Sequence, residues 1–267
     1  LTPNEVIERA LPKKGTYRVL VTPDRQIPYH DERAHRAVCK WVRDQRLDEW
    51  IDLGDFMDFD QISRFSKGQL RKISGRRLWD DYQVGKRILD DCTGALRKGN
   101  PRARFTLLEG NHDARIEKWL DENPQAEGSL ELENGLGLKK RKIELVRCYT
   151  RGEVYRIGKA LFHHGLYTTQ SHAKAHADKF GCNIFYGHVH DVQCFSREIW
   201  SASGPIVAQS LGCLCRFDLE YVRGRPRNWQ QAFALVDFQP DGSFQYVVLR
   251  LLDGAFYCPF SRKMYRG

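Results

Sequence analysis

Five short polar blocks carry the chemistry-bearing side chains of this 267-residue chain. They are Asp24-Arg25-Gln26, Gly54-Asp55 with Asp58, Gly110-Asn111-His112-Asp113, His163-His164-Gly165 and Gly187-His188-Val189-His190. Their carboxylate, amide and imidazole groups suit divalent cations. Oxygen donors favour Mn²⁺ and Mg²⁺, while imidazole extends the range to Fe²⁺ and Zn²⁺. The donors suffice for two ions. Two ions sharing one carboxylate stand roughly 3.5–4 Å apart in binuclear hydrolases, and Asp55, set just past a strand-like run, is the natural bridge.

Such a site requires elements that bring distant blocks together. Tyr17 to Thr22 is a β-branched, apolar run and reads as a central strand. Asp31 to Arg46 places Ala34, Ala37, Val38, Trp41 and Val42 at helical spacing, with Asp31 as N-cap. Glu49 to Leu53 is the next strand. This strand–helix–strand order predicts a βαβ unit with parallel neighbours. Further strands are expected at Arg104 to Leu108, Ala160 to His163 and Asn183 to Tyr186, with a hairpin from Glu153 that turns at Gly158-Lys159. Helices are expected from Asp113 to Asp121 and from Thr169 to Phe180. After His190 the pattern turns to antiparallel strands at Gln193 to Ile199, Gln231 to Phe238 and Ser243 to Leu251. If the leading runs are neighbours, all five blocks meet at one sheet edge, where open α/β folds place their sites.

Two segments stand apart within what reads as one domain spanning 1–267. Residues 61–99 form a basic insertion, expected to be helical, with Leu78, Val84, Ile88, Leu89 and Leu96 as its buried stripe. Residues 122–151 are rich in Gly, Glu and Lys with weak periodicity, and are read as a cap over the site. Other polar residues invite weaker readings. His163 and His164 are adjacent, so on an extended chain they point oppositely and one alone can ligate. His164, before Gly165, is the ligand candidate, and His163 is structural. His172 and His176, four apart on a helix, are expected to face solvent or substrate, and His30 and His35 have no evident partner. The eight scattered cysteines are expected to be buried or half-buried free thiols, with Cys213 and Cys215 facing one side of a strand.

The net charge of +9 is uneven. Arg64, Lys67, Arg71, Lys72, Arg76 and Arg77 form one cluster, Lys139-Lys140-Arg141-Lys142 a second, and Arg223, Arg225 and Arg227 a third. Such an excess favours polyanionic partners, nucleic acid or nucleotides first. It serves equally as a solvated face. No apolar run is long enough to span a bilayer and no signal core follows Leu1, so a cytoplasmic protein without a membrane partner is expected, its N-terminus read as processed or trimmed.

Taken together, the blocks resemble those of the calcineurin-like metallophosphoesterases, which run D-x-H, G-D-x-x-D, G-N-H-D/E, H before Gly, and G-H-x-H. The resemblance spans residues 24 to 190. The ending around Gly212-Cys213-Leu214-Cys215, Tyr221-Val222-Arg223-Gly224 and Asn228-Trp229 resembles members encoded by phages and prophages, which places the chain in a host cytoplasm. The resemblance implies a four-layer αββα fold: a mixed-strand β-sandwich flanked by helices. It implies that Asp24, Gln26 and His190 hold one metal, that Asn111, His164 and His188 hold a second, and that Asp55 joins them. His112 would contact phosphate and protonate the leaving oxygen, with Asp58 fixing its tautomer. One position departs from the pattern: Gln26 stands where most members have His. Its amide oxygen is a harder donor and tilts the first site toward Mn²⁺ or Mg²⁺. The implied activity is hydrolysis of phosphate esters by a metal-bridging hydroxide, foremost nucleic-acid or nucleotide phosphodiesters. A phosphomonoesterase is the alternative, followed by a non-catalytic nucleic-acid-binding protein on the same fold.

Overall fold

The computed structural model describes residues 4–64, 74–198, 204–218 and 228–267. Side-chain alternation along its strands sets the layers, because successive strand residues point to opposite faces. In β2 (Tyr17–Thr22), Leu20 joins one apolar cluster while Val19 and Val21 join another. Trp50 and Ile51 divide the same way in β3 (Glu49–Asp52), as do Leu107 and Leu108 in β4 (Arg104–Leu108).

These strands belong to a six-stranded sheet ordered β12-β11-β2-β3-β4-β5, with β5 at Ile143–Val146, β11 at Gln231–Phe238 and β12 at Phe244–Leu251. From β2 to β5 the neighbours are parallel, and β11 and β12 add antiparallel strands. A second six-stranded sheet runs β1-β6-β7-β8-β10-β9. Its strands are β1 (Glu5–Arg9), β6 (Glu153–Ile157), β7 (Ala160–His163), β8 (Asn183–Tyr186), β9 (Cys194–Arg197) and β10 (Ile206–Ser210). The sheets pack face to face: Val21, Ile51 and Leu108 of the first share a cluster with Tyr155, Phe162 and Phe185 of the second. Helices α1 (Glu32–Arg43) and α2 (Leu78–Gly99) cover the outer face of the first sheet, where Trp41, Ile88 and Leu89 meet Leu20, Trp50 and Phe105. A short helix, His172–Phe180, covers the other sheet through Ala177 on Leu161, Ile184 and Tyr186. The result is a helix–sheet–sheet–helix order, the four-layer sandwich expected.

Local chemistry explains the crossovers. The Asp31 carboxylate accepts from the amides of Arg33 and Ala34 and caps α1, a contact worth ~1 kcal/mol. The β2–α1–β3 and β3–α2–β4 units are both parallel, as the alternation predicted. Between 122 and 151 lie two short helices, α3 within Leu132–Leu136 and α4 within Leu138–Arg141, whose leucines pack into the α2 side of the core, followed by β5. In the basic clusters, Lys139, Lys140 and Lys142 are exposed, whereas Arg141 pairs with Asp90 at 2.7 Å. Arg76 pairs with Asp60 at 2.6 Å. Lys67, Arg71, Lys72, Tyr221, Val222, Arg223, Gly224, Arg225 and Arg227 lie outside the described residues. Among the described residues no helix is long and apolar enough to cross a membrane.

Candidate metal centre

All five blocks sit just past the C-terminal ends of parallel strands: β2, β3 and β4 in one sheet, β7 and β8 in the other. Packing the sheets face to face therefore brings the two sets of loops together across the sandwich. The D-R-Q block shows how its spacing is used. Asp24 and Gln26 turn to the site, while the Arg25 guanidinium, fully buried, reaches under the sheet to Asp52 at 2.9 Å and lies over Trp50. That buried pair ties the end of β2 to the end of β3, and removing one partner would strand a charge.

Two groups of side chains converge. In the first, His164 Nε2 stands 3.3 Å from Asp55 Oδ2 and 3.2 Å from Asn111 Oδ1. The other ring nitrogen of His164 donates to the Leu53 carbonyl at 3.0 Å, which orients the ring and turns Nε2 toward Asp55. Ligand atoms of Asp55, His164 and His188 all lie within 4.8 Å of one another. In the second group, His190 Nε2 stands 3.3 Å from Asp24 Oδ1 and 3.1 Å from the Gln26 amide. A half-turn of that amide presents its oxygen in place of its nitrogen. Asp24 also accepts from the His188 amide, at 3.0 Å on each oxygen, and so links the groups. A cavity of about 190 Å³ opens between them, walled by Gln26, Asp55, Asn111, His188 and His190.

The donor set fits divalent cations on this structure's own terms. The buried Nδ1 of His188 has no hydrogen-bond partner, as a free ligand atom would. Burial, and then the neighbouring His164, pushes His188 down to about 3, so its ring is uncharged. Burial alone would raise Asp55, but His112 and His164 outweigh it and hold the carboxylate well below its usual range. The backbone gives a second sign. Asp24, Gln26, Asp55, His188 and His190 all have positive φ, between 27° and 73°. For non-glycine residues this conformation costs on the order of 1–3 kcal/mol each, and it collects where function demands it. The glycines of the blocks permit the close approach: a Cβ on Gly110 would lie 2.2 Å from the Asp55 amide nitrogen, and one on Gly187 would lie 2.0 Å from Asp24 Oδ2.

His112 stands at the rim. Its amide donates to Asp55 Oδ1 at 2.7 Å, its Nε2 is 3.8 Å from Asp55 Oδ2, and its Nδ1 is 3.4 Å from Asp58 Oδ2. The last contact is long and off the hydrogen-bond line, and both atoms lack another partner. The Arg115 guanidinium donates to the Asp58 carbonyl at 2.8 Å and lies 3.4 Å from its carboxylate, a positioning contact that the sequence did not disclose. Asp113 does more than start a helix: the described helix is Arg115–Glu122, and the buried Asp113 carboxylate accepts from the amides of Met57 at 2.8 Å, Gly110 at 2.9 Å and Phe56 at 3.2 Å. It thereby locks the second block to the third.

Other histidines are structural, some against expectation. His163 accepts from the Gly165 amide at 2.9 Å, as a structural residue should. His172 and His176 do not face solvent: both are buried, His172 Nδ1 pairs with the Tyr186 hydroxyl at 2.7 Å, and His176 accepts from the Leu166 amide at 2.9 Å while stacking on Tyr186. His35 does have partners, Asp91 at 3.3 Å and Cys39, and His30 lies 3.1 Å from Glu32. Cys213 and Cys215 are buried behind His190, whose Nδ1 is 3.9 Å from the Cys215 sulfur, and Trp229 packs against the same ring at 4.3 Å. Cys194 departs from the expectation of burial and is exposed.

No family model matches the sequence. It is 27% identical over 229 residues to the Gene 54 protein of Mycobacterium phage L5 and 26% identical over 230 residues to that of Mycobacterium phage D29. Each alignment spans 82% of this chain and 88% of the phage protein. Among solved structures, vacuolar protein sorting 29 from Cryptosporidium parvum superposes with a TM-score of 0.47 at 14% identity, covering 95% of this chain and 98% of the other. The protein of that name from Entamoeba histolytica, complexed with Zn²⁺, gives 0.44 at 13% identity, covering 94% and 98%. In the order of its five blocks and in the strand ends that gather them, the chain resembles the calcineurin-like metallophosphoesterases, and its relatives named above are phage proteins.

Proposed function

We propose that this chain hydrolyses phosphate esters at a pair of divalent cations, with phosphodiesters of nucleic acid or nucleotides as its substrates. The observation that carries the reading is the convergence of strained, buried ligand-type residues around Asp55. Asp24, Gln26 and His190 would hold one ion, Asn111, His164 and His188 the other, and Asp55 both. Such cations supply positive charge to phosphoryl oxygens and acidify water. The amide oxygen at position 26 favours Mn²⁺. Relatives from phages support synthesis in a host cytoplasm, and the charge of +9 supports a polyanionic substrate.

The remaining work belongs to the chain. His112 has Nε2 on the site side and Nδ1 toward Asp58, so a small ring rotation lets Nδ1–H donate to Asp58. As imidazolium the ring would give its Nε2 proton to the departing oxygen and be left neutral with Nδ1–H still on Asp58. Arg115 keeps Asp58 in place for that contact. Asp113 holds the two loops in register.

The test compares bis(p-nitrophenyl) phosphate with p-nitrophenyl phosphate in Mn²⁺. Faster turnover of the diester is expected, and turnover of the monoester alone would end the phosphodiesterase reading. His112→Asn should retain its metal and lose about 10²–10⁴ in kcat, most for poor leaving groups. Loss of metal from that variant would make His112 a ligand instead.

A further inference from the structure

A second cavity, of about 770 Å³, adjoins the metal pocket and shares Val189 and Trp229 with it. Its chemistry differs from that of the metal pocket. The exposed Thr168, Thr169, Gln170, Ser171 and Asn228 line it with hydroxyl and amide groups. Among the described residues no Lys or Arg lines it, and Asp191 contributes a carboxylate. That carboxylate is 2.7 Å from the buried His172 ring, and Asn228 donates to it at 3.3 Å. The carboxylate on its wall disfavours a second phosphate. Hydroxyls, amides, an acid and an indole suit an uncharged group rich in hydrogen-bonding positions and carrying an aromatic ring. Its volume lies within the usual range for small-molecule sites.

We propose that this cavity seats the nucleoside arm of the substrate, with Trp229 as the wall on which a base packs. The assignment rests on the phosphodiesterase reading above and narrows it to esters with a nucleoside on one side of the phosphorus. Trp229 suits the role because it borders both cavities and packs on His190, so a base against the indole lies beside the metal ligands. Stacking of this kind tolerates any base, since each has a π-face. Sugar hydroxyls or base amines would find the Asp191 carboxylate and the Asn228 amide. Phosphoserine peptides and simple alkyl phosphates lack a group that uses this wall.

Two diesters with one leaving group isolate the effect: thymidine 5′-(p-nitrophenyl phosphate) and methyl p-nitrophenyl phosphate. With Mn²⁺-loaded protein, kcat/KM should favour the thymidine ester by about fivefold to a hundredfold, carried mainly by KM, the range that base–aromatic stacking supplies. Trp229→Leu should lower that ratio severalfold. Thr169→Trp, which fills the cavity without touching an expected ligand, should lower it too, and it guards against a metal defect in the first variant. A ratio near one in the unmodified protein, or a ratio that neither variant moves, overturns the assignment alone. Turnover of neither ester refutes the hydrolytic reading and this assignment with it.

Discussion

Replacing Asp113 by Ala tests whether the site is held by backbone clamping as much as by its ligands. The carboxylate is completely buried and takes three amide hydrogens, from Phe56, Met57 and Gly110. Those amides are themselves in buried loop segments, so removing the acceptor leaves three donors unsatisfied. At ~1–3 kcal/mol for each stranded donor, with some relief if water enters the vacated space, the loss comes to roughly 3–6 kcal/mol. For a chain of this length that corresponds to a fall in Tm of roughly 6–24 °C, at about 2–4 °C per kcal/mol. Asp113→Asn keeps one acceptor oxygen and should fall between. Thermal unfolding of the three metal-free proteins, followed by circular dichroism, provides the comparison. A Tm for Asp113→Ala within about 2 °C of the unmodified protein would refute the reasoning.

Gly187→Ala should damage one ion site selectively, because the new methyl group would lie 2.0 Å from Asp24 Oδ2 and must displace it; calorimetric titration should show loss of one Mn²⁺-binding event with the other retained. The metal-free protein should also lose stability as pH rises. Burial lowers His164 and His190, but Asp55 and Asp24 for the first, and Cys213 and Asp24 for the second, outweigh it and raise both to about 9. A raised pKa stabilises fully below the unfolded value near 6.5, and that contribution disappears as pH climbs through about 9. Urea unfolding at a series of pH values from about 6 to 10 should show the decline, and Mn²⁺ binding at neutral pH should release protons in buffers of differing ionisation enthalpy.

The sequence discloses the candidate ligands because each block directly follows a strand buried on both faces. Continuous apolar runs such as Val19-Leu20-Val21 mark those strands, and the polar residues after them have nowhere else to point. The edges of the sheets were harder. β1 is the exposed run Glu5–Arg9, and its charged residues hide a strand that pairs with β6. β5 lies in a stretch broken by Gly and Lys, and β10 pairs with both β8 and β9 in an order that local pattern cannot give. The support around the site was equally obscure. Arg115, Trp229 and the Cys213–Cys215 pair reach His112, His190 or their partners through contacts distant in sequence. Asp113 was visible in its block, yet its three amide partners appear only once two loops are brought together. The expectation that His172 and His176 face solvent failed for the same reason: helical spacing gives a shared face, and tertiary packing on Tyr186 turns that face inward, although His172 still borders the cavity beside Trp229.

The central claim is that one carboxylate, Asp55, joins two cations. Elemental analysis of Mn²⁺-reconstituted, desalted protein tests it most directly, beside Asp55→Ala treated alike and checked for an unchanged circular dichroism spectrum. The unmodified chain should retain about two ions and the variant one or none, as a shared bridge requires. A parent protein that retains no ion, or a variant that retains both, would contradict it.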